Sequence, residues 1–158
     1  MEFEPDTFQQ MAGLVCYYNS SKFHYLYVSH DAEIGKHIRV MSCLPDQIQS
    51  DVFSVPVPIP ADGPVHLRVE VDYERLYFAF RIGIGAWHRM PGPLDASILS
   101  DEAAAPGTPN FTGAFVGVCC QDSAGTRLPA DFDYFAYRER GYCVDPFAGE
   151  EPALPQAV

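Results

Sequence analysis

Positive charge is scarce in this chain. Its 158 residues hold 10 Lys and Arg against 21 Asp and Glu, a formal charge of -11. Such a balance repels phosphate backbones and anionic head groups, so it argues against nucleic acid and membrane surfaces as partners. Long apolar runs are missing too: no stretch approaches the ~20 residues that a spanning helix needs. The N-terminus (Met1, Glu2, Phe3, Glu4) is acidic where a secretory leader is basic and then apolar. The expectation for localisation is therefore cytoplasmic. The cysteines are five, an odd number, at positions 16, 43, 119, 120 and 143, without a CxxC pair or a His spacing of the zinc type. Buried thiols in a reducing compartment are the corresponding expectation. Equally absent are a GxSxG elbow, a phosphate-binding GxxxxGK[ST] loop, an HExxH pair and a dinucleotide fingerprint.

Hydrophobic residues, by contrast, make up 47% of the chain and charged ones 20%, a composition that builds a packed core. At this length one core, and so one domain, is the economical solution. Short runs rich in Val, Ile, Tyr and Phe, broken by Asn, Asp, Gly and Pro, predict strands at residues 13–18, 23–29, 37–42, 65–71, 76–82, 113–121 and 131–138. No helix is predicted. Val65, Leu67, Val69 and Val71 alternate with His66, Arg68, Glu70 and Asp72, so that strand covers a core on one side only. The polar step from Asp72 to Arg75 then reads as a hairpin turn. Four prolines and a glycine between Val55 and Pro64 suit an extended edge or connection and exclude a central strand. A second Pro- and Gly-bearing loop, residues 103–110, delivers the chain to Phe111. Past residue 140 the periodicity is lost, which divides the chain into an antiparallel β-sandwich over 1–140 and a mobile tail over 141–158.

Chemistry-bearing residues are dispersed. The five histidines fall at positions 24, 30, 37, 66 and 88, a scatter that does not gather metal ligands. Asp101 and Glu102 point to opposite sides if extended, whereas Asp131 and Asp133 share a face. A shared-face acidic pair suits a hard cation such as calcium as well as it suits acid and base work, and a solvated strand face is the alternative use. Aromatic residues are abundant at 13%, with Tyr17, Tyr18, Phe23, Tyr25 and Tyr27 close together. Core packing accounts for most of them, and a stacking platform for sugar rings is the other use. Trp87, beyond the Gly83 to Gly85 break, is placed to face a ligand from a loop.

Four runs carry a resemblance to a known family: Phe8 to Asn19 (FQQMAGLVCYYN), Leu94 to Asp101 (LDASILSD), Phe111 to Gly117 (FTGAFVG) and Ala130 to Phe135 (ADFDYF). In this joint order they resemble the C-terminal domain of glycoside hydrolase family 43 β-xylosidases, over about Glu2 to Glu139. The resemblance implies a concanavalin A-like β-sandwich, a jelly roll, which agrees with the strand reading. It implies an accessory domain that serves a five-bladed β-propeller bearing the catalytic carboxylates, none of which is in this sequence. Catalytic residues are therefore expected to be none. The family's sandwich lends an aromatic side chain from a loop to the propeller's pocket, and Phe111 is the matching position. It also holds calcium in some members, for which Asp131 or Asp133 is the matching ligand. The family's domain starts upstream of the position matching Met1, which implies that a first strand is missing and that an open edge invites association, including a homo-oligomer.

The resulting expectation is a noncatalytic accessory domain of a β-xylosidase or α-L-arabinofuranosidase, with the propeller as partner. Two alternatives stand beside it. One is a free-standing lectin-like module that binds xylan or xylo-oligosaccharide. The other is a truncated gene fragment without an independent role.

Overall fold

The computed structural model describes residues 1–44, 51–103 and 113–139, with backbone alone for Asp51 and Val52. Among the described residues ten strands follow one another: β1 (Gln10–Asn19), β2 (Lys22–Asp31), β3 (Gly35–Cys43), β4 (Asp51–Phe53), β5 (Val57–Pro58), β6 (Val65–Asp72), β7 (Arg75–Ile82), β8 (His88–Arg89), β9 (Leu94–Asp95) and β10 (Phe115–Asp122). The first sheet runs β10-β1-β2-β3-β4, with β5 also on β3. The second sheet is smaller, β6-β7-β8, with β9 also on β7. Every pairing is antiparallel. This is the expected sandwich.

Alternation builds the layer between the sheets. Ala12, Leu14 and Cys16 of β1 stand beside Val28, Leu26 and His24 of β2, which stand beside Ile38, Val40 and Ser42 of β3. Apart from His24 and Ser42, these side chains join Val65, Leu76, Phe78 and Phe80 of the second sheet in one buried apolar cluster. The cluster supplies the main driving force, each fully buried Leu, Ile or Phe contributing about 1.5–3 kcal/mol. The opposite side of the first sheet carries aromatic side chains, of which Tyr25 and Tyr27 stack at 5.1 Å between centroids.

Several sequence expectations meet specific geometry. Asp72 pairs with Arg75 across a two-residue turn in which Tyr73 has φ 51°, which is the predicted hairpin. The proline-rich stretch contributes only β5, lying at the edge of β3. A four-residue 3-10 turn, Ala96–Leu99, occurs where no helix was expected, and Asp95 caps it by accepting a hydrogen bond from the Ser97 N–H. Thiols are only partly as expected: Cys16 and Cys43 are buried, but Cys120 is exposed, because neighbours on β10 face opposite sides of an edge strand. Burial pushes the Cys16 thiol up to about 12, so it is inert as a nucleophile. Residues 141–158, where a mobile tail was expected, lie outside the described residues.

The predicted last strand, 131–138, is reduced to one bridge. Asp131 pairs with Glu2, and no described residue continues the ladder. A strand is defined by its ladder, and among the described residues only Glu2 pairs with this segment.

Gly13 marks the tightest approach within the first sheet. A Cβ built there falls 2.0 Å from the Leu26 carbonyl oxygen and 2.7 Å from the Tyr27 Cα, both backbone atoms that cannot yield. Gly117, across the ladder on β10, has nothing within 4 Å of the same position. Gly13→Ala is therefore expected to cost about 1–3 kcal/mol in urea unfolding, and Gly117→Ala well under that. Equal losses from the two variants would contradict the close approach.

Candidate functional site

Three sites were predicted from the sequence, and the structure treats them differently. Phe111 lies outside the described residues, but both ends of its loop are placed. The chain leaves through the 3-10 turn to Asp101 and returns at Gly113, entering β10 at Phe115. Phe115 pairs with Tyr17, and Tyr17 with Phe23, whose rings stack at 6.4 Å. Tyr17 and Phe115 are exposed, so the loop returns beside an open aromatic row.

A buried polar cluster fixes the departing end. Lys22 is 2% exposed, and its Nζ donates to the Ser100 carbonyl at 2.6 Å while lying 3.8 Å from the centre of the Tyr18 ring. The Tyr18 hydroxyl donates to the Asp101 carboxylate. His24 closes the cluster, with Nε2 2.9 Å from the Asp95 carbonyl and Nδ1 2.7 Å from the Ser42 hydroxyl. A carbonyl only accepts, so Nε2 carries the proton, and in neutral His24 Nδ1 accepts from Ser42. Three side chains of β1 and β2 thus clamp residues 95–101, the segment that leads into the loop of Phe111. This was missed in the sequence, although a signal existed: Lys22 and His24 share their period with Leu26 and Val28, which places them on the inner face.

Asp131 and Asp133 are both exposed. Asp131 commits its backbone to Glu2, with N–H to O distances of 2.9 and 3.0 Å. It also borders a shallow open pocket with Glu2, Glu4 and Asp62, in which Glu4 is already paired with Lys36 at 2.8 Å. Among the described residues no group of three or more metal-ligating side chains gathers, short of the ~6–8 oxygens that calcium takes, so these residues do not fit calcium by themselves. Trp87 is half-buried. Its ring centre is 5.7 and 5.1 Å from the guanidinium carbons of Arg68 and Arg81 on the second sheet, within cation–π range.

These features define a class: a two-sheet concanavalin A-like sandwich that presents an anchored loop beside aromatic side chains. The chain belongs to the family of β-xylosidase C-terminal concanavalin A-like domains, whose model matches residues 1–138. It is 39% identical over 147 residues to the β-xylosidase of Bacillus subtilis strain 168, covering 89% of this chain. It is also 39% identical over 138 residues to a putative β-xylosidase of Escherichia coli K12, covering 87% of this chain. In each case the chain spans 26% of the relative's length. Among solved structures, xylan β-1,4-xylosidase from Bacillus halodurans C-125 matches with a TM-score of 0.72 and 30% identity, over 80% of this chain and 24% of that one. No helix among the described residues is long and apolar enough to cross a membrane.

Burial holds His24, His37 and His66 below the ordinary imidazole range. Their folded pKa lies under the unfolded value of about 6.5, so the unfolded chain binds more protons as pH falls. The stability they confer is full above that value and is lost on acidification below it. The midpoint Tm is thus expected to fall between pH 7.5 and 5.5, and to fall less in His24→Gln. A variant as acid-sensitive as the parent would remove His24 from this account.

Proposed function

We propose that this chain is a noncatalytic accessory domain of a glycoside hydrolase, one that completes the active site of a β-propeller catalytic domain through the loop of Phe111. The observation that carries the reading is the match of residues 1–138 to a C-terminal domain, at about a quarter of the length of β-xylosidases. The clamp on residues 95–101 supports it, because a loop that must present one side chain to a partner's pocket needs a fixed base. Substrate would be a xyloside or arabinoside held by the propeller, with Phe111 excluding water on one side. In this reading the chain alone performs no hydrolysis and works in the cytoplasm.

A second reading, a module that binds xylo-oligosaccharide, draws on the exposed Tyr17, Phe53 and Phe115. Flat rings at an open surface stack on sugar faces.

One experiment separates the two. Aryl-xyloside hydrolysis is measured for the chain alone, for a family propeller lacking its sandwich, and for the mixture. The accessory reading expects activity in the mixture only, with a loss of about tenfold or more on Phe111→Ala, the scale of one misplaced positioning group. Tyr18→Phe, which removes a hydrogen bond to a carboxylate, is expected to cost about 1.5–3 kcal/mol of stability and to weaken the rescue. Hydrolysis by the chain alone would overturn the noncatalytic reading. Retention on xylan without rescue would favour the second.

A further inference from the structure

The outer side of the second sheet carries an arrangement that the accessory role leaves unused. Its rows follow from the register: His66 opposes Arg81, Arg68 opposes Ala79, Ala79 opposes Arg89, and Glu70 opposes Tyr77. Three of the chain's 10 Lys and Arg residues therefore stand around one small side chain, Ala79, in a protein of formal charge -11. Neighbouring strands lie ~4.8 Å apart, so only the width of β7 separates Arg68 from Arg89.

Trp87 completes the arrangement. Continuing the pairing of β7 with β8 by one step puts it beside Arg81. Its ring centre lies 5.1 Å from the Arg81 guanidinium, and also 5.7 Å from that of Arg68 on the far side of β7. These side chains therefore meet over β7, next to Ala79, and part of the half-buried ring stays open. In the adjoining row the Arg89 guanidinium lies 3.9 Å from the centre of the Tyr77 ring. Glu70 is the acid on this face, and it pairs with Arg68 at 2.5 Å. Arg81 and Arg89 make no ion pair among the described residues, and the Arg81 Nε is buried with no hydrogen-bond partner.

The makeup of the face decides what it suits. From His66 to Asp72 and from Arg75 to Arg81, every outward position is charged, aromatic, histidine or alanine. A protein–protein contact is apolar at its centre, and this face has no aliphatic side chain larger than Ala79 to provide one. Rings such as Trp87 stack on the apolar faces of sugars, and a guanidinium holds a carboxylate through two parallel hydrogen bonds. Charges beyond the Debye length of ~8 Å are screened at physiological ionic strength, so the local arginines outweigh the net negative charge of the chain.

We propose that the outer face of β6, β7 and β8 binds an acidic saccharide, one whose chain carries a uronic acid. A sugar ring stacks on Trp87, and Arg81 and Arg89, the two arginines without an ion pair, take the carboxylate. Arg68 is held by Glu70 and steadies the Trp87 ring. The site uses neither the loop of Phe111 nor the exposed aromatic side chains of the first sheet, and it stands independently of the accessory role proposed above.

Trp87 is the single tryptophan of the chain, so its fluorescence reports on this face. The full chain is titrated with xylotriose carrying one glucuronic acid, with plain xylotriose and with polyglutamate. A saturable change is expected with the first, and binding about tenfold or more weaker with the second, for want of the charge-assisted contact. Arg81→Gln and Arg89→Gln should each weaken the acidic saccharide by about tenfold. Arg89 is exposed, so its replacement leaves the Tm unchanged and separates lost binding from lost folding. Tyr17→Ser, on the first sheet, should leave the titration as it is. Equal affinity for the two saccharides would overturn the carboxylate contact, and a Trp87 signal that responds to neither would overturn the site. Polyglutamate binding more tightly than the acidic saccharide would overturn the ligand class and identify the face as a dock for an acidic protein. A loss with Tyr17→Ser as large as with Arg81→Gln would move the site to the first sheet.

Discussion

The shared apolar layer between the sheets is the constraint on which everything else rests. β1, β2 and β3 contribute one row each to it, and β6 and β7 supply the facing rows. The first sheet is wide enough to be covered on its inner face, whereas the second has two long strands and two fragments. The consequence is an asymmetric sandwich. Where the layer is covered from both sides, side chains such as Leu26, Val28 and Ile38 are fully sealed. Where the second sheet stops short, inner-face residues such as Val71 meet solvent. A close-packed interior cannot stretch to hide that deficit, since its density already matches that of an organic crystal.

Three of the buried polar side chains serve one task. Lys22, Tyr18 and His24 lie at the end of the sandwich where the chain crosses from the second sheet toward β10. A buried ammonium is costly unless it is well coordinated. Here a backbone carbonyl and an aromatic face receive it. Hydrophobic side chains in the same places would fill the volume equally well, but they would not define where residues 95–101 must sit. Direction, rather than energy, is what the polar cluster adds.

Much of the architecture was legible because alternation is a local signal. The row Val65, Leu67, Val69, Val71 and its polar complement announced a half-covered strand, and the turn at Asp72 to Arg75 announced its partner. The prolines between Val55 and Pro64 announced an edge. Residues 131–138 show where this logic ends: their pattern is that of a strand, yet a pattern cannot state whether a neighbour is there to pair with. The clamp on residues 95–101 was hidden for a related reason. Lys22 and His24 share the inner-face period of Leu26 and Val28, but the segment they hold lies 71 to 78 residues later in the chain, a distance no local pattern spans. Asp131 and Asp133 are both exposed, and among the described residues no group of three or more ligating side chains gathers.

The position of β10 has a consequence for how the molecule assembles. The turns linking β1 to β2, β2 to β3 and β6 to β7 are short, so those pairings close small loops. β10 instead pairs with β1 through Gln10 and Asp122, across nearly the whole described chain. Contacts so distant in sequence pay the largest loop-closure entropy and form late. β10 is thus the last strand to dock and an edge strand once docked. The loop of Phe111 lands on this strand, so its final geometry is set at the end of folding, after the hairpins and the core have already been decided.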